Sequence, residues 1–329
     1  MRYSGIGGQA VMEGVMMKNG TQYAVAVRKP DGEIIVDKQE YRGILPDLAV
    51  RKLPFIRGVV NFIESLTLGM RTLMYSASFY EEEETDATPG VDCGAQQEPD
   101  QKVREASGAV AGGGSGERQK KESLLMGLTM AGSVAAAIVI FMLIPYLISG
   151  LFRRWMTSQA ALAAVEGVLR LAVFFVYILL ISRMEDIQRV FMYHGAEHKC
   201  INCIEHGLEL SVENVRKSSR LHKRCGTSFL FLVVCISILF FFFIHTDSGL
   251  LRIVIRLALV PVIAGCAYEL IRLAGRSDNR LVDLISRPGM ALQKLTTREP
   301  DDAMIEVGIA SVEAVFDWKA YLKENETLP

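Results

Sequence analysis

Net charge is the first thing this sequence has little of. Lys and Arg number 36 and Asp and Glu 37, a formal charge of −1. There is no surplus of positive charge to hold a phosphate backbone, so no nucleic-acid partner is expected. Cysteine is scarce too: six in 329 residues are too few for a disulfide scaffold. Met1–Gly20 carries glycines and charges but no apolar core of the kind a secretory signal needs, so none is expected. The Gly-rich segment 7–17 lacks the pattern GxxxxGK[ST], which excludes a phosphate loop there. No internal repeat is visible.

Charge is also missing from long stretches of the chain. Apolar residues make up 50% and charged residues 22%, and the mean hydropathy is +0.25. Such a composition excludes disorder and points to a membrane protein. Ser123–Phe152 runs 30 residues without a charge, and a spanning helix needs roughly 20. Gln159–Ser182 is a second expected span. Its Glu166 and Arg170 stand four apart, so they share a helix face and can pair. They read either as a pin for the bundle or as a polar contact near a site. Cys225–Ile244 is the third span. The fourth runs from about Leu250 to Leu273, with Glu269 and Arg272 near its far end. Arg183–Gly226, the long connection, holds eight Lys or Arg. By the positive-inside rule this loop and both termini are cytoplasmic, in a multi-pass protein of the cell membrane.

The expected fold is mainly α: a polytopic membrane protein with about four transmembrane helices, a small N-terminal β element and a cytoplasmic loop containing His and Cys. Residues 1–50 form the β element, with a hairpin of Thr21–Val27 and Glu33–Val36 around the turn Lys29-Pro30-Asp31-Gly32. Residues 51–80 form an amphipathic interfacial helix whose Arg57, Glu64 and Arg71 are spaced seven apart. Residues 81–122 are a flexible acidic and Gly-rich linker holding Cys93, to which no role falls. Residues 123–182 carry the first two spans, 183–226 the loop, and 227–274 the last two spans. Residues 275–329 form a helical C-terminal segment, with Met304, Ile305, Ile309, Val312, Val315 and Phe316 at helical spacing.

The chemistry concentrates in the loop. It reads Tyr193-His194-Gly195-Ala196-Glu197-His198-Lys199-Cys200-Ile201-Asn202-Cys203 and later Arg220-Leu221-His222-Lys223-Arg224-Cys225-Gly226-Thr227-Ser228. Four of the chain's five histidines fall between 194 and 222. On a helix His194 and His198 share one face a turn apart, which suits two ligands of one divalent metal, zinc in the first place. Glu197 completes the order H-x-x-E-H, in which a carboxylate beside the metal serves as general base. His222, Cys225 and Glu269 should lie at similar membrane depth and are the candidate further ligands. Two alternatives stand beside this. The two histidines can be a hydrogen-bonded structural pair, since Gly195 weakens the helix they need. Cys200-x2-Cys203 with His222-x2-Cys225 has the spacing of a structural Cys3His zinc site. Cys235 and Cys266 read as core residues.

With these residues in view the chain resembles the YqhQ-like family, bacterial membrane proteins with plastid relatives that are described as predicted metal-dependent enzymes. The resemblance rests on Gly-Gly-Gln-Ala-Val-Met-Glu-Gly-Val-Met-Met at 7–17, Arg57-Gly58, the stretch 193–199, Glu205-His206-Gly207, Glu213-Asn214-Val215, His222 with 224–228, Tyr268-Glu269 and Leu295–Pro300. It covers nearly the whole chain outside 81–122. It leaves Cys200 and Cys203 outside the motif, which counts against the Cys3His reading, and it makes Glu13 a candidate site residue. The expected function is a metal-dependent hydrolase. Arg220, Arg224 and Arg272 would receive an anionic peptide or lipid-linked substrate beside the lipid bilayer. The rivals are a non-enzymatic scaffold or regulator with a structural metal, and a transporter built on Glu166 and Arg170.

Overall fold

Tight turns and alternating apolar residues fold the N-terminal segment into an antiparallel meander. Its strands are β1 (Gly7–Val11), β2 (Gly14–Asn19), β3 (Gln22–Arg28) and β4 (Ile34–Glu40), paired in chain order. We describe it from a computed structural model covering residues 3–41, 43, 53, 55–86, 116–156, 158–244, 246, 248–276 and 279–326. The expected hairpin is β3–β4, closed where the Lys29 amide donates to the Glu33 carbonyl at 2.9 Å. Segment 7–17, read only as Gly-rich backbone, supplies β1 and much of β2. Its turn is two residues, Met12 and Glu13, because Val11 faces Gly14. Glu13 takes φ +48°, a backbone state that side chains other than glycine rarely adopt.

The remainder is mainly helical: α1 (Ile56–Asp86), α2 (Gly116–Ile138), α3 (Ile144–Leu151), α4 (Gln159–Ile181), α5 (Glu185–Glu205), α6 (Val212–Lys217), α7 (Gly226–Phe242), α8 (Gly249–Arg276), α9 (Arg280–Thr296), α10 (Asp302–Val315) and α11 (Trp318–Glu326). Contacts divide the chain into two units, residues 77–174 and the remainder.

In the larger unit the sheet is covered on both faces. Tyr23–Val27 are all buried, as strands sandwiched between layers should be. On one face Ser76 of α1 accepts from the Met12 amide at 3.1 Å, and Arg71 hydrogen-bonds Tyr23. On the other, α5 and α10 form the core with the sheet through Val15, Met17, Ala24, Ala26, Ala196, Cys200, Ile201, Ile204, Met304, Ile305 and Val312. Arg57 pairs with Glu269 of α8 at the other end of α1. There the absent Cβ atoms of Gly58 and Gly265 let the two helices meet.

Two expectations change here. The segment 183–226 is not an open loop: α5 and α6 make up most of it, and Gly195–Glu205 are all buried. Its polar letters disguised this, because each finds a partner inside. Lys199 donates to the Arg216 and Ser218 carbonyls, both at 2.9 Å. Asn202 donates to those of Ser219 and Leu221 at 2.6 and 3.0 Å. The expected linker is also shorter at both ends, since α1 continues through the four glutamates to Asp86 and α2 opens at Gly116. Glu propagates a helix well once one exists. Cys93 and the rest of 87–115 lie outside the described residues.

Three helical segments among the described residues are long and apolar enough to cross a membrane: Gly127–Arg154, Gln159–Ile181 and Gly249–Gly275. The expected third span is the shorter helix α7, 17 residues or roughly 25 Å long. In the smaller unit, Pro145 of α3 has no N–H to give the Phe141 carbonyl four residues before it. That oxygen accepts from Arg170 Nε at 3.0 Å and Arg170 also donates to Glu166 at 2.8 Å. Both charged residues are buried.

Candidate metal centre

Helix α5 puts His194 and His198 one turn apart, their rings 4.4 Å centre to centre. Cys225 comes from the N-cap of α7, where its sulfur accepts from the Thr227 amide at 3.3 Å. Among the described residues these three form the set of His, Cys, Asp and Glu whose donor atoms all lie within 4.8 Å of one another. The Cys225 sulfur is 3.2 Å from His194 Nε2.

The orientation of the imidazoles is set by backbone. His194 Nδ1 lies 2.9 Å from the Thr296 carbonyl, and His198 Nδ1 lies 2.6 Å from the Arg220 carbonyl. A carbonyl can only accept, so both Nδ1 atoms carry a proton and both Nε2 atoms turn inward toward Cys225. Carbonyl-anchored imidazoles are the usual arrangement behind a metal ligand. Burial alone would lower the His194 pKa, but the Cys225 sulfur, Glu197 and the Thr296 carbonyl raise it to about 9. Burial alone would raise the Cys225 pKa, yet His194 and His198 hold it well below the ordinary thiol value. The imidazole and the thiol thus shift each other's titration in opposite directions, and a divalent cation would displace the proton between them.

Glu197 lies beside this group, its Oε2 3.9 Å from His194 Nε2. Strand β1 covers it: a Cβ built on Gly8 would come within 2.9 Å of Glu197 Cγ. Gly195, expected to weaken the helix, has a positive use. A Cβ there would sit 2.0 Å from the Arg298 carbonyl. Only glycine lets the segment 296–300, at and just past the end of α9, cross α5 closely enough for Thr296 to reach His194, and Arg298 fastens the crossing through its amide to the Phe191 carbonyl at 2.8 Å.

The other candidate residues go elsewhere. His222 is buried beside Glu205, at 3.5 Å, with its ring 5.7 Å from that of His198. Burial lowers its pKa. Glu205 draws it away, together with Arg224, which donates to the same carboxylate. Glu269 is taken by Arg57, with Arg272 3.8 Å away. Glu13 accepts from Arg189 and, at 3.1 Å, from the Tyr193 hydroxyl, and so ties the β1–β2 turn to α5. Arg220 donates to the Thr297 carbonyl at 3.0 Å and positions the carbonyl that holds His198. Glu166 and Arg170 belong to the pair in the smaller unit. Cys200 and Cys203 face the core, Cys200 against Gly308 of α10, so the four residues of the Cys3His pattern are not brought together.

Several residues that shape the centre carried no signal as such. The Thr296 and Arg220 carbonyls are backbone groups. Gln293 was also unmarked: it holds His222 through the amide and carbonyl of that residue at 2.9 and 2.7 Å.

Residues 53–318 match the family described as "Protein of unknown function (DUF1385)". The chain is 33% identical over 323 residues to the "Uncharacterized protein YqhQ" of Bacillus subtilis (strain 168), covering 97% of this chain and 95% of that protein. No solved structure matches. The chain belongs to the DUF1385 family, with YqhQ among its relatives.

Proposed function

We propose that this member of the family is a membrane protein that binds one divalent metal ion, zinc by the chemistry of the donors, through His194, His198 and Cys225, and that it hydrolyses a substrate there. One observation carries the reading: both imidazoles are locked by backbone carbonyls with Nε2 turned toward the Cys225 sulfur, which lies 3.2 Å from Nε2 of His194. Two histidines and one cysteine leave a fourth position open, the ligand count of catalytic zinc sites. A bound ion there would supply Lewis acidity. Glu197 is within reach to accept the proton of an attacking water, and its burial keeps it clear of bulk solvent. The Lys and Arg distribution supports a cytoplasmic face for the centre, four spans including α7, and cytoplasmic termini. A peptide or a lipid-linked molecule is the proposed substrate class.

A second reading is a regulator or scaffold with a structural metal. The depth of the donors favours it, since His198 and Cys225 are both buried, and Glu197 is near enough to close the shell. The test compares purified wild type with Glu197→Gln, both carrying metal, on a bacterial membrane extract followed by mass spectrometry. Depletion of a lipid or peptide species by wild type alone supports hydrolysis. Identical profiles, with metal bound by both, support the structural reading.

A further inference from the structure

Helix α1 is polar where it is buried and apolar where it is exposed. Between Ile56 and Ser76 its buried residues are Gly58, Glu64, Leu68, Gly69, Thr72 and Ser76. Its exposed ones are Ile56, Ile63, Ser65, Leu66, Leu73 and Met74. The five large apolar side chains among these lie on one side of the helix and are each 38–49% exposed. A surface helix of a water-soluble protein has the opposite arrangement. The three charges that stand seven apart all turn toward protein. Arg57 pairs with Glu269, Glu64 is 3% exposed, and Arg71 hydrogen-bonds Tyr23. No charged residue is left among the exposed ones of 56–76.

What covers the apolar row follows from what α1 adjoins. Its first turns rest on α8, where Asn61 donates to the Tyr268 hydroxyl at 2.6 Å. The Phe62 ring stands 5.3 Å from that of Phe229 at the start of α7. Helix α8 is long and apolar enough to cross a membrane, and its Val262 and Leu273 are exposed as well. The row thus starts beside the outward apolar side chains of a candidate span. The last turns of α1 lie against the sheet, Gly69 at the Gln9 side chain and Ser76 at the Met12 amide. A second copy of the chain is a poorer fit: a stable interface takes roughly 20–30 residues a side, and the row offers five large side chains.

We propose that α1 lies along the surface of the bilayer, between lipid and sheet, with Ile56, Ile63, Leu66, Leu73 and Met74 sunk among the acyl chains. The row from 56 to 74 is roughly 27 Å long, and interfacial helices bury such a face by roughly 5–10 Å. An ordinary interfacial helix keeps a basic polar face for anionic headgroups. Here that face is taken by α8 and the sheet, so neutral lipid suffices. The β1–β2 turn that Ser76 holds is tied through Glu13 to Tyr193, next to His194. The membrane contact is therefore linked to the candidate centre through one turn. The proposal rests on the membrane reading and does not need the metal.

The test uses full-length protein in phosphatidylcholine nanodiscs. A ketone-bearing amino acid replaces Ile63, Leu66, Leu73 or Met74 in turn, and Lys217, whose side chain is 68% exposed, as the control. Each ketone is coupled to a nitroxide, which leaves the cysteines untouched. Electron paramagnetic resonance then compares collisions with oxygen, which concentrates in lipid, and with a water-soluble nickel chelate. Polar solutes are excluded from an apolar phase by well over about tenfold, so the oxygen-to-nickel ratio along the row should exceed that at Lys217 by about tenfold or more. Thermal unfolding checks each labelled protein, and Ile56 replaces any position whose label unfolds the chain. Frequent nickel collisions along the row would put it in water and overturn the proposal. Few collisions with either reagent would mean that protein covers the row, a second copy or another helix, and would overturn it equally.

Discussion

Burial would raise the Glu205 carboxyl pKa, but the hydrogen bond to His222, the Arg224 guanidinium and the amide and hydroxyl of Ser4 hold it at about 2. The folded value lies below the ordinary 4.5. Its stabilising contribution is thus fully present above about pH 4.5 and is lost as pH falls toward 2. The difference amounts to roughly 3 kcal/mol. Chemical unfolding across that window should show an acid limb in wild type that is flatter in Glu205→Gln. Equal limbs would mean that the network is not coupled to folding. Glu197 tests a different residue-scale point. If it acts beside the ion rather than on it, Glu197→Gln keeps metal affinity within about tenfold, measured by competition with a chelating dye. Complete loss would make Glu197 a ligand. The sequence named the donors through residue type and the four-residue spacing of His194 and His198. It could not give Thr296 and Arg220 the role of anchoring the imidazoles, although Arg220 was a candidate for its guanidinium, because each acts there through a carbonyl that every residue has.

Helix α5 is where local sequence and fold diverge most. Its 21 residues include His, Glu, Lys and Asn at buried positions, so the apolar periodicity that marks a core helix was broken and the segment read as a loop. Gly195 compounded this, since glycine weakens an isolated helix, whereas its use is a close crossing that no local pattern announces. The crossing makes a prediction. Gly195→Ala places a methyl 2.0 Å from the Arg298 carbonyl, which must move and carry Thr296 with it. A loss of about 1–3 kcal/mol is expected, together with weakened metal binding, both read from thermal unfolding with and without metal. Unchanged stability would show that the crossing segment yields freely. Helices α2 and α4 were legible because each holds a long uncharged apolar run, 124–138 and 171–181, and the Glu166–Arg170 pair was legible from spacing. The pair's second contact, from Arg170 to the Phe141 carbonyl, was not. Arg170→Leu should destabilise by roughly 3–5 kcal/mol, because it strands a buried carboxylate. Adding Glu166→Leu should recover much of that loss in detergent melts. A double variant no better than the single would argue for a function of the pair beyond packing.

At the scale of the whole molecule, composition separates candidate membrane-spanning helices from more polar elements. In the larger unit the sheet, α5 and α10 form one core, α7 and α8 are apolar, and the candidate centre takes His194 and His198 from α5 and Cys225 from the start of α7. The positive-inside pattern predicts that green fluorescent protein fused after Glu326 fluoresces and that alkaline phosphatase fused there is inactive. The reverse would move the centre to the other face of the membrane. The central claim is that the three donors hold one metal ion. Elemental mass spectrometry of full-length protein purified without chelator, alongside His194→Ala, His198→Ala and Cys225→Ala variants whose folding is checked by circular dichroism, tests it directly. About one equivalent in wild type and a drop of about tenfold or more in each folded variant is the expected result. A wild-type protein that neither retains nor takes up a divalent ion, or a folded Cys225→Ala variant that keeps its full complement, would contradict it.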